Sequence, residues 1–418
     1  MEINNIPIKE HDKIDSKWDN KLSAIKFEGN PNDYMGVPKY LGIDQNHCAS
    51  YYIGASWLVQ NELAVIVLPK LENIDFIKMF LAALEVDTEN ESDYFSKCYG
   101  IQFDEPLIET DERLNQLTPL LVLHYISLLE RLVKHGLKKD YVVREENLKS
   151  KVKGRILFSK HLQKNVFQQR EDRVFCQFQE YTDDIPENRL LKKALLFAER
   201  VINNYSSLRK QIETTDLPNR MAKINVAFQH ISDDIEVWQV KKLSSNKLFK
   251  EHGQAVKVAK MLLRRFQYSI DNANFERHTT PPFWIDMARL YEMWVYSKLV
   301  KASTNKVLFQ EKGAYGRQIA DFVIKEDKLI LDAKYKTDYQ KDIWVDIDDI
   351  RELSGNARDD RLISDIDDTI SPRCIILYPG DNNELQSEKT HKIAEQGRKI
   401  PHYRNFYKIS IPLPTIKA

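Results

Sequence analysis

Ile319-Ala320-Asp321-Phe322-Val323-Ile324, the charged turn Lys325-Glu326-Asp327-Lys328, and Leu329-Ile330-Leu331-Asp332-Ala333-Lys334-Tyr335-Lys336 read as two antiparallel strands joined by a polar loop. Side chains alternate along a strand, so Asp332, Lys334 and Lys336 share one face while Leu331, Ala333 and Tyr335 take the other. Pairing the two runs can bring Asp321 beside Asp332. Two carboxylates with a lysine one pleat away suit phosphodiester hydrolysis. The acids hold a hard cation such as Mg²⁺, for which Mn²⁺ can substitute, and the ammonium orients the attacking water or helps to deprotonate it. Asp-x-Lys alone is more often a solvated strand face than a site. The upstream Asp321 is what shifts the balance.

The rest of the chain bounds this reading. At 418 residues it is long enough for two or three domains. Sixty-two Lys and Arg balance 62 Asp and Glu, so no global positive field draws the chain to DNA; nucleic-acid affinity has to be regional or come from a partner. Cys48, Cys98, Cys176 and Cys374 stand singly, without zinc-site spacing or disulfide-scaffold density, as expected for a reducing cytoplasm. Met1 to Lys13 has no apolar core, and the most apolar stretch, Leu117 to Leu129, is too short and too interrupted to span a bilayer, so a soluble protein without membrane contact is expected. No G-x-x-x-x-G-K-[ST] loop occurs, so no nucleotide is expected on this chain and any NTPase must be another polypeptide.

Tyr51 to Leu58 and Leu63 to Leu68, around Gln60-Asn61-Glu62, read as a β-hairpin ended by Pro69. Asp75 to Leu84 reads as a short amphipathic helix, and the acidic stretch Glu85 to Arg113 as a surface excursion. Thr118 as N-cap, Pro119 in the first turn, and Lys134, His135 and Gly136 at the end frame a buried helix. Arg144 to Arg173 and Lys241 to Arg265 are basic, and Lys257, Lys260 and Arg264 recur at helical spacing, where one face could meet a phosphate backbone; a lysine-rich face kept for solubility is the plainer alternative. Pro186 opens a helix whose Leu191, Ala194, Leu195, Ala198 and Ile202 fall at core spacing. From Thr279 the order is a helix (Trp284 to Ala302), a strand (Val307 to Gln310), the hairpin, a helix (Asp348 to Arg358), and strands at Cys374 to Tyr378 and Phe406 to Ile411. Glu292 lies among apolar neighbours in the first of these helices, either salt-bridged structurally or reaching the metal-site lysine or water.

These residues resemble the PD-(D/E)xK nucleases, with Asp321 and Asp332 as the motif's acids, Lys334 as its lysine, and Ala320 where the motif's name has proline. A narrower likeness rests on five stretches in order: Lys153-Gly154-Arg155-Ile156-Leu157-Phe158-Ser159-Lys160, Pro186-Glu187-Asn188-Arg189-Leu190-Leu191, Leu290-Tyr291-Glu292, Ala320-Asp321, and Leu331-Asp332-Ala333-Lys334-Tyr335. Their arrangement is similar to McrC, the nuclease subunit of McrBC modified-cytosine restriction systems. The resemblance implies a multidomain α+β protein with a β-rich partner-coupling region (1–142), a basic helical middle region (143–278), and a C-terminal α/β core with a mixed sheet (279–418). It also implies a DNA endonuclease, active with a hexameric McrB-like AAA+ GTPase on double-stranded, methylated DNA. Catalytic roles then fall to Asp321, Asp332, Lys334 and Glu292, metal ligation to Asp321 and Asp332, and DNA contact to Lys257, Lys260, Arg264 and Lys336. Glu352 stands where the family often has Gln, which leaves that helix's role open. The competing reading is a regulatory subunit that stimulates the NTPase, with cleavage secondary or directed at other nucleic acid.

Overall fold

Ile330-Leu331 and Cys374 to Tyr378 are apolar on successive residues, and strands with no polar face must be covered on both sides. A computed structural model of the chain, describing residues 4–27, 38–71, 73–86, 94, 97–102, 105–110, 117–204, 206–213, 215–240, 250–271, 278–316, 318–341, 344–363, 372–385 and 393–416, shows how. The residues fall into two compact units, 1–117 with 275–418, and 118–274.

In the first unit a mixed six-stranded sheet runs in the order Leu308–Lys312, Ile319–Ile324, Leu329–Ala333, Arg373–Tyr378, Phe406–Ser410, Arg398–Lys399. The central pairings, Leu329–Ala333 with Arg373–Tyr378 and the latter with Phe406–Ser410, are parallel; the outer ones are antiparallel. On one face Val323, Ile330, Cys374 and Ile376 pack with Ile350 and Leu353 of the helix Ile347–Asn356. On the other, Tyr296 of the helix Met287–Ala302 stacks on Phe309 and Phe322 at 4.7 and 6.1 Å between centroids. Alternate residues of each strand thus serve opposite helices.

The same unit holds a five-stranded sheet in the order Asn4–Lys9, Leu63–Leu68, Tyr52–Val59, Phe283–Asp286, Tyr99–Ile101. Its first pair is parallel and the rest antiparallel. Sequence reasoning anticipates the hairpin here but not its third partner. Trp284 and Ile285, expected in a helix, are strand residues, and the helix starts at Met287 with Asp286 as its N-cap, accepting from the Arg289 amide. The hydrophobic run does not mark this change of period; the capping carboxylate does. The stretch expected as a surface excursion contributes Tyr99–Ile101 to the sheet and buries Cys98 and Ile108. Much of the remainder of that stretch lies outside the described residues.

The second unit is not purely helical. Asp140–Lys149 and Arg173–Thr182 pair antiparallel over ten residues, and Arg155–Ile156 adds a short third strand. Charged residues at Arg144, Glu145 and Glu146 mask the strand alternation that would have announced it. Around the sheet's base, Asn188 is fully buried and donates to the carbonyls of Lys138 and Asp183, both at 2.8 Å, while its own oxygen meets His252. Arg189 grips Asp184 at 2.7 and 2.8 Å, and this holds the Asp184 carboxyl down at about 2. The Asn188-Arg189 pair is therefore a structural knot. The helix Pro186–Asn204 follows the core spacing anticipated, and the helix Leu117–His135 is largely buried as expected, although it begins one residue before Thr118, the expected cap. It ends at Gly136, whose φ of 89° suits glycine.

Gly54 is required by the five-stranded sheet. Its φ is 140°, and a Cβ there would lie 2.1 Å from the Phe283 carbonyl oxygen. Gly54→Ala should cost ~2–3 kcal/mol or more, because backbone and not a flexible side chain would have to move. Urea unfolding is the check; a midpoint equal to the parent's would show that the sheet closes differently.

Candidate active site

The register Phe322↔Leu331, Val323↔Ile330, Ile324↔Leu329, continued by one residue, sets Asp321 opposite Asp332. The turn that fixes it closes through the Lys328 amide donating to Lys325, with Lys328 in the left-handed region. Asp321 Oδ2 accepts from the Ala333 amide at 2.9 Å, so one acid is held by the backbone beside the other. Burial first, and then the charge of Asp321, push the Asp332 carboxyl toward its protonated form. Asp332 is only 3 % exposed, and its Oδ2 is buried.

Lys334 Nζ lies 2.8 Å from that oxygen, as an ion pair, and donates to Glu352 Oε2 at 2.8 Å. Asp349 is 3.8 Å away. Burial alone would push the lysine down; Asp332, Glu352 and Asp321 together hold it above its ordinary range, so it is an ammonium. Lys336, one pleat on, is committed to Asp346 at 2.7 Å and to Asp349 at 2.9 Å. Asp349 also accepts from the buried Tyr339 hydroxyl.

The helix Met287–Ala302 brings in Glu292, which accepts from Tyr94 and, at 3.2 Å, from Gln310. Glu292 meets the cluster through a shared neighbour: the same Gln310 side-chain amide donates to Asp321 Oδ1 at 3.1 Å. Gln310 was missed by sequence reasoning as anything but a strand residue. Its backbone signals otherwise, since φ is 52° in the middle of a strand, opposite Asp321, where an ordinary side chain is strained. No sequence pattern announces such a kink.

Asp321, Asp332, Lys334 and Glu292 are thus brought together, with Glu352 and Gln310 added. Lys336 stands beside them but already neutralised. Lys257 and Lys260 belong to the second unit, on the helix Lys250–Asp271. Lys257 is exposed, while Lys260 donates to the Val240 carbonyl and is not left to solvent; the Arg264 side chain lies outside the described residues.

Electrostatically the cluster is short of cations. Four carboxyl groups, Glu292, Asp321, Asp332 and Glu352, surround one ammonium. Burial, reinforced by the neighbouring acids, pushes Asp321 up to about 7 and Glu292 up to about 8, and Asp332 well above the carboxylate range. Among the described residues, no three His, Cys, Asp or Glu side chains form a ready cage for a metal. Mg²⁺ does not need one, as it commonly takes one or two carboxylates and keeps waters or phosphate oxygens. The Asp321 and Asp332 carboxyl groups, facing each other in register with a single ammonium against them, fit that demand.

The matching family model is described as McrBC 5-methylcytosine restriction system component and covers residues 49–349. No curated protein matches the chain. Among solved structures, a refined half-complex from a tetradecameric assembly of Thermococcus gammatolerans McrB AAA+ hexamers with bound McrC is similar at 14% identity and a TM-score of 0.40. The match covers 98% of this chain and 94% of that one. A cryo-EM structure of the T. gammatolerans McrBC complex is similar at 15% identity and a TM-score of 0.30, over 71% and 87%.

Because Asp321 and Glu292 bind protons more tightly in the folded chain, their contribution to stability is full below the ordinary values of 3.8 and 4.5. It is lost as pH rises to about 7 and about 8. Metal-free protein should lose thermal stability across that window, and Asp321→Asn should lose less. At a cation site formed by the ionised carboxylates, Mg²⁺ would restore more stability at pH 8 than at pH 6. Scanning calorimetry showing equal Mg²⁺ stabilisation at both pH values would contradict the upward shift of these carboxyl groups.

Proposed function

The chain belongs to the McrBC 5-methylcytosine restriction system component family, and from that membership and the carboxylate–lysine cluster we propose that it is the nuclease subunit of a McrBC-type restriction complex. It cuts DNA with Mg²⁺ when engaged by an AAA+ GTPase partner of the McrB type, in the cytoplasm. The mixed sheet with its hairpin is then a PD-(D/E)xK core. The observation that carries the chemistry is the placing of Asp321 and Asp332 in register, with Lys334 against the buried Asp332.

Asp321 and Asp332 would hold the cation, which when bound supplies Lewis acidity at the scissile phosphate and lowers the pKa of a bound water. Everything else falls to the chain. The Ala333 amide fixes Asp321, so the first acid is aimed before any ligand arrives. Gln310 holds the outer oxygen of the same carboxylate and ties it to Glu292. Lys334, kept as an ammonium by Asp332 and Glu352, is suited to orienting the water and to stabilising charge that builds on the phosphate, and unsuited to taking a proton. The balanced net charge supports leaving DNA capture to the partner.

The test is cleavage of methylated and unmethylated closed circular plasmid with Mg²⁺, the neighbouring AAA+ protein and its nucleotide. Asp332→Ala and Lys334→Ala should each reduce cutting about 100-fold or more while the partner's nucleotide hydrolysis is still stimulated. Either variant cutting at the parental rate would refute the site. Stimulated hydrolysis with no cutting by the parent protein would favour a regulatory subunit.

The Gln310 kink yields a second expectation. Gln310→Ala, which releases both Asp321 and Glu292, should weaken Mn²⁺ binding about tenfold with little change in unfolding midpoint. Titration of the Mn²⁺ electron spin resonance signal reads this directly, and parental affinity would show that the strained residue serves the strand alone.

A further inference from the structure

Tyr335 follows Lys334 directly and is held by residues far from it in sequence. Its hydroxyl donates to Glu10 Oε2 at 3.2 Å. Its carbonyl accepts from Lys70 Nζ at 2.8 Å, and the same ammonium lies 3.7 Å from the centre of its ring. Glu10, 2 % exposed at the end of the strand Asn4–Lys9, also accepts from the Lys70 amide at 2.8 Å; its other oxygen, Oε1, is buried without a hydrogen bond. Glu10 and Lys70 follow the parallel strands Asn4–Lys9 and Leu63–Leu68, and the Glu10 amide donates to Leu68. The ring of Tyr335 meets Tyr291 at 5.8 Å, next to Glu292 in the sequence.

The backbone here needs such a hold. The strand ends at Ala333, the Lys334 amide still donates to Leu377, and the Lys336 amide turns back onto the Lys334 carbonyl at 2.7 Å, bending the chain at Tyr335. Salt bridges fix Lys334 and Lys336 from the helix Ile347–Asn356, but Glu352 is half exposed, so side-chain contacts on that side alone leave the bend free to pivot. Lys70 and Glu10 close the other side.

We infer that Glu10 and Lys70 are positioning residues for Lys334: by clamping Tyr335, the five-stranded sheet sets the backbone from which the active-site lysine projects. The inference deepens the nuclease reading and rests on it. A buried carboxylate, an ammonium bound to a carbonyl, and an aromatic ring are a costly set of groups to assemble where plain apolar packing would hold two sheets together. Their expense is explained if the direction of the strand exit matters.

The test uses the full-length chain with its AAA+ partner, and Lys70→Met, Tyr335→Phe and Lys70→Arg. In Lys70→Met, amide hydrogen exchange at Lys334 and Lys336 should rise about tenfold while that of Phe322 and Val323 is unchanged. The kcat for plasmid cleavage should fall about tenfold with KM and Mn²⁺ affinity kept, since the carboxylates stay in place. Tyr335→Phe, the milder change, should show a smaller effect in the same direction, and Lys70→Arg should recover most of the rate. Unchanged exchange in both Lys70→Met and Tyr335→Phe overturns the clamp, whether or not the protein cuts DNA. Faster exchange with full kcat overturns the positioning role. If the parent cuts nothing, the nuclease reading fails separately, and the exchange data alone decide whether Lys70 and Glu10 place Lys334.

Discussion

Two carboxyl groups facing each other across a pair of strands, both drawn out of water, repel unless a proton or a cation lies between them. Much of the first unit can be understood from that constraint. Asp321 faces Asp332, Lys334 stands against the pair, and Glu352 in turn faces Lys334. Sheet and helices supply the rigidity that such a cluster demands: residues of one parity pack on the Ile347 helix, those of the other on the Met287 helix, so neither acid can swing away from its neighbour. A site built in this way holds an unfavourable charge distribution, which suits it to a divalent ligand.

Much of this was legible in the sequence because it depends on period. Two apolar runs of strand length and a polar turn fix a register, and a register fixes which acids meet. The stripe Leu191, Ala194, Leu195, Ala198, Ile202 was legible for the same reason, and each of these residues is buried. What escaped was whatever depends on partners distant in the chain. Nothing near Phe283 says that it will pair with Ala55 and Ile101. Gln310 gives no sign that its backbone will turn left-handed to reach two carboxylates. The long strands of the second unit were hidden by their own charges, because a strand exposed along much of its length has no apolar alternation to betray it.

Charge told a mixed story. The balanced total ruled out a chain that seizes DNA by its global field, and the lysines singled out for phosphate contact are partly engaged inside the protein: Lys336 by two aspartates, Lys260 by a carbonyl. Counting basic residues along a helix cannot separate those that face solvent from those that tie down backbone. Lys70 makes the same point from the other direction, as an isolated lysine with no basic neighbours that sits on the residue beside the candidate catalytic one.

The strand Phe283–Asp286 lies between Tyr52–Val59 and Tyr99–Ile101 in the five-stranded sheet, although the whole of the second unit separates it from them in sequence. During synthesis the early strands Asn4–Lys9, Tyr52–Val59 and Leu63–Leu68 leave the ribosome without the neighbour that completes them, and carry an open edge until residue 283 emerges. Residues 118–274 are by then fully made and contain all the contacts of their own unit. The middle of the chain can fold first, and the two ends can close around a shared sheet only when translation is well into the last third, so slowing elongation there would lengthen the time an apolar strand edge is open to aggregation or to capture by chaperones.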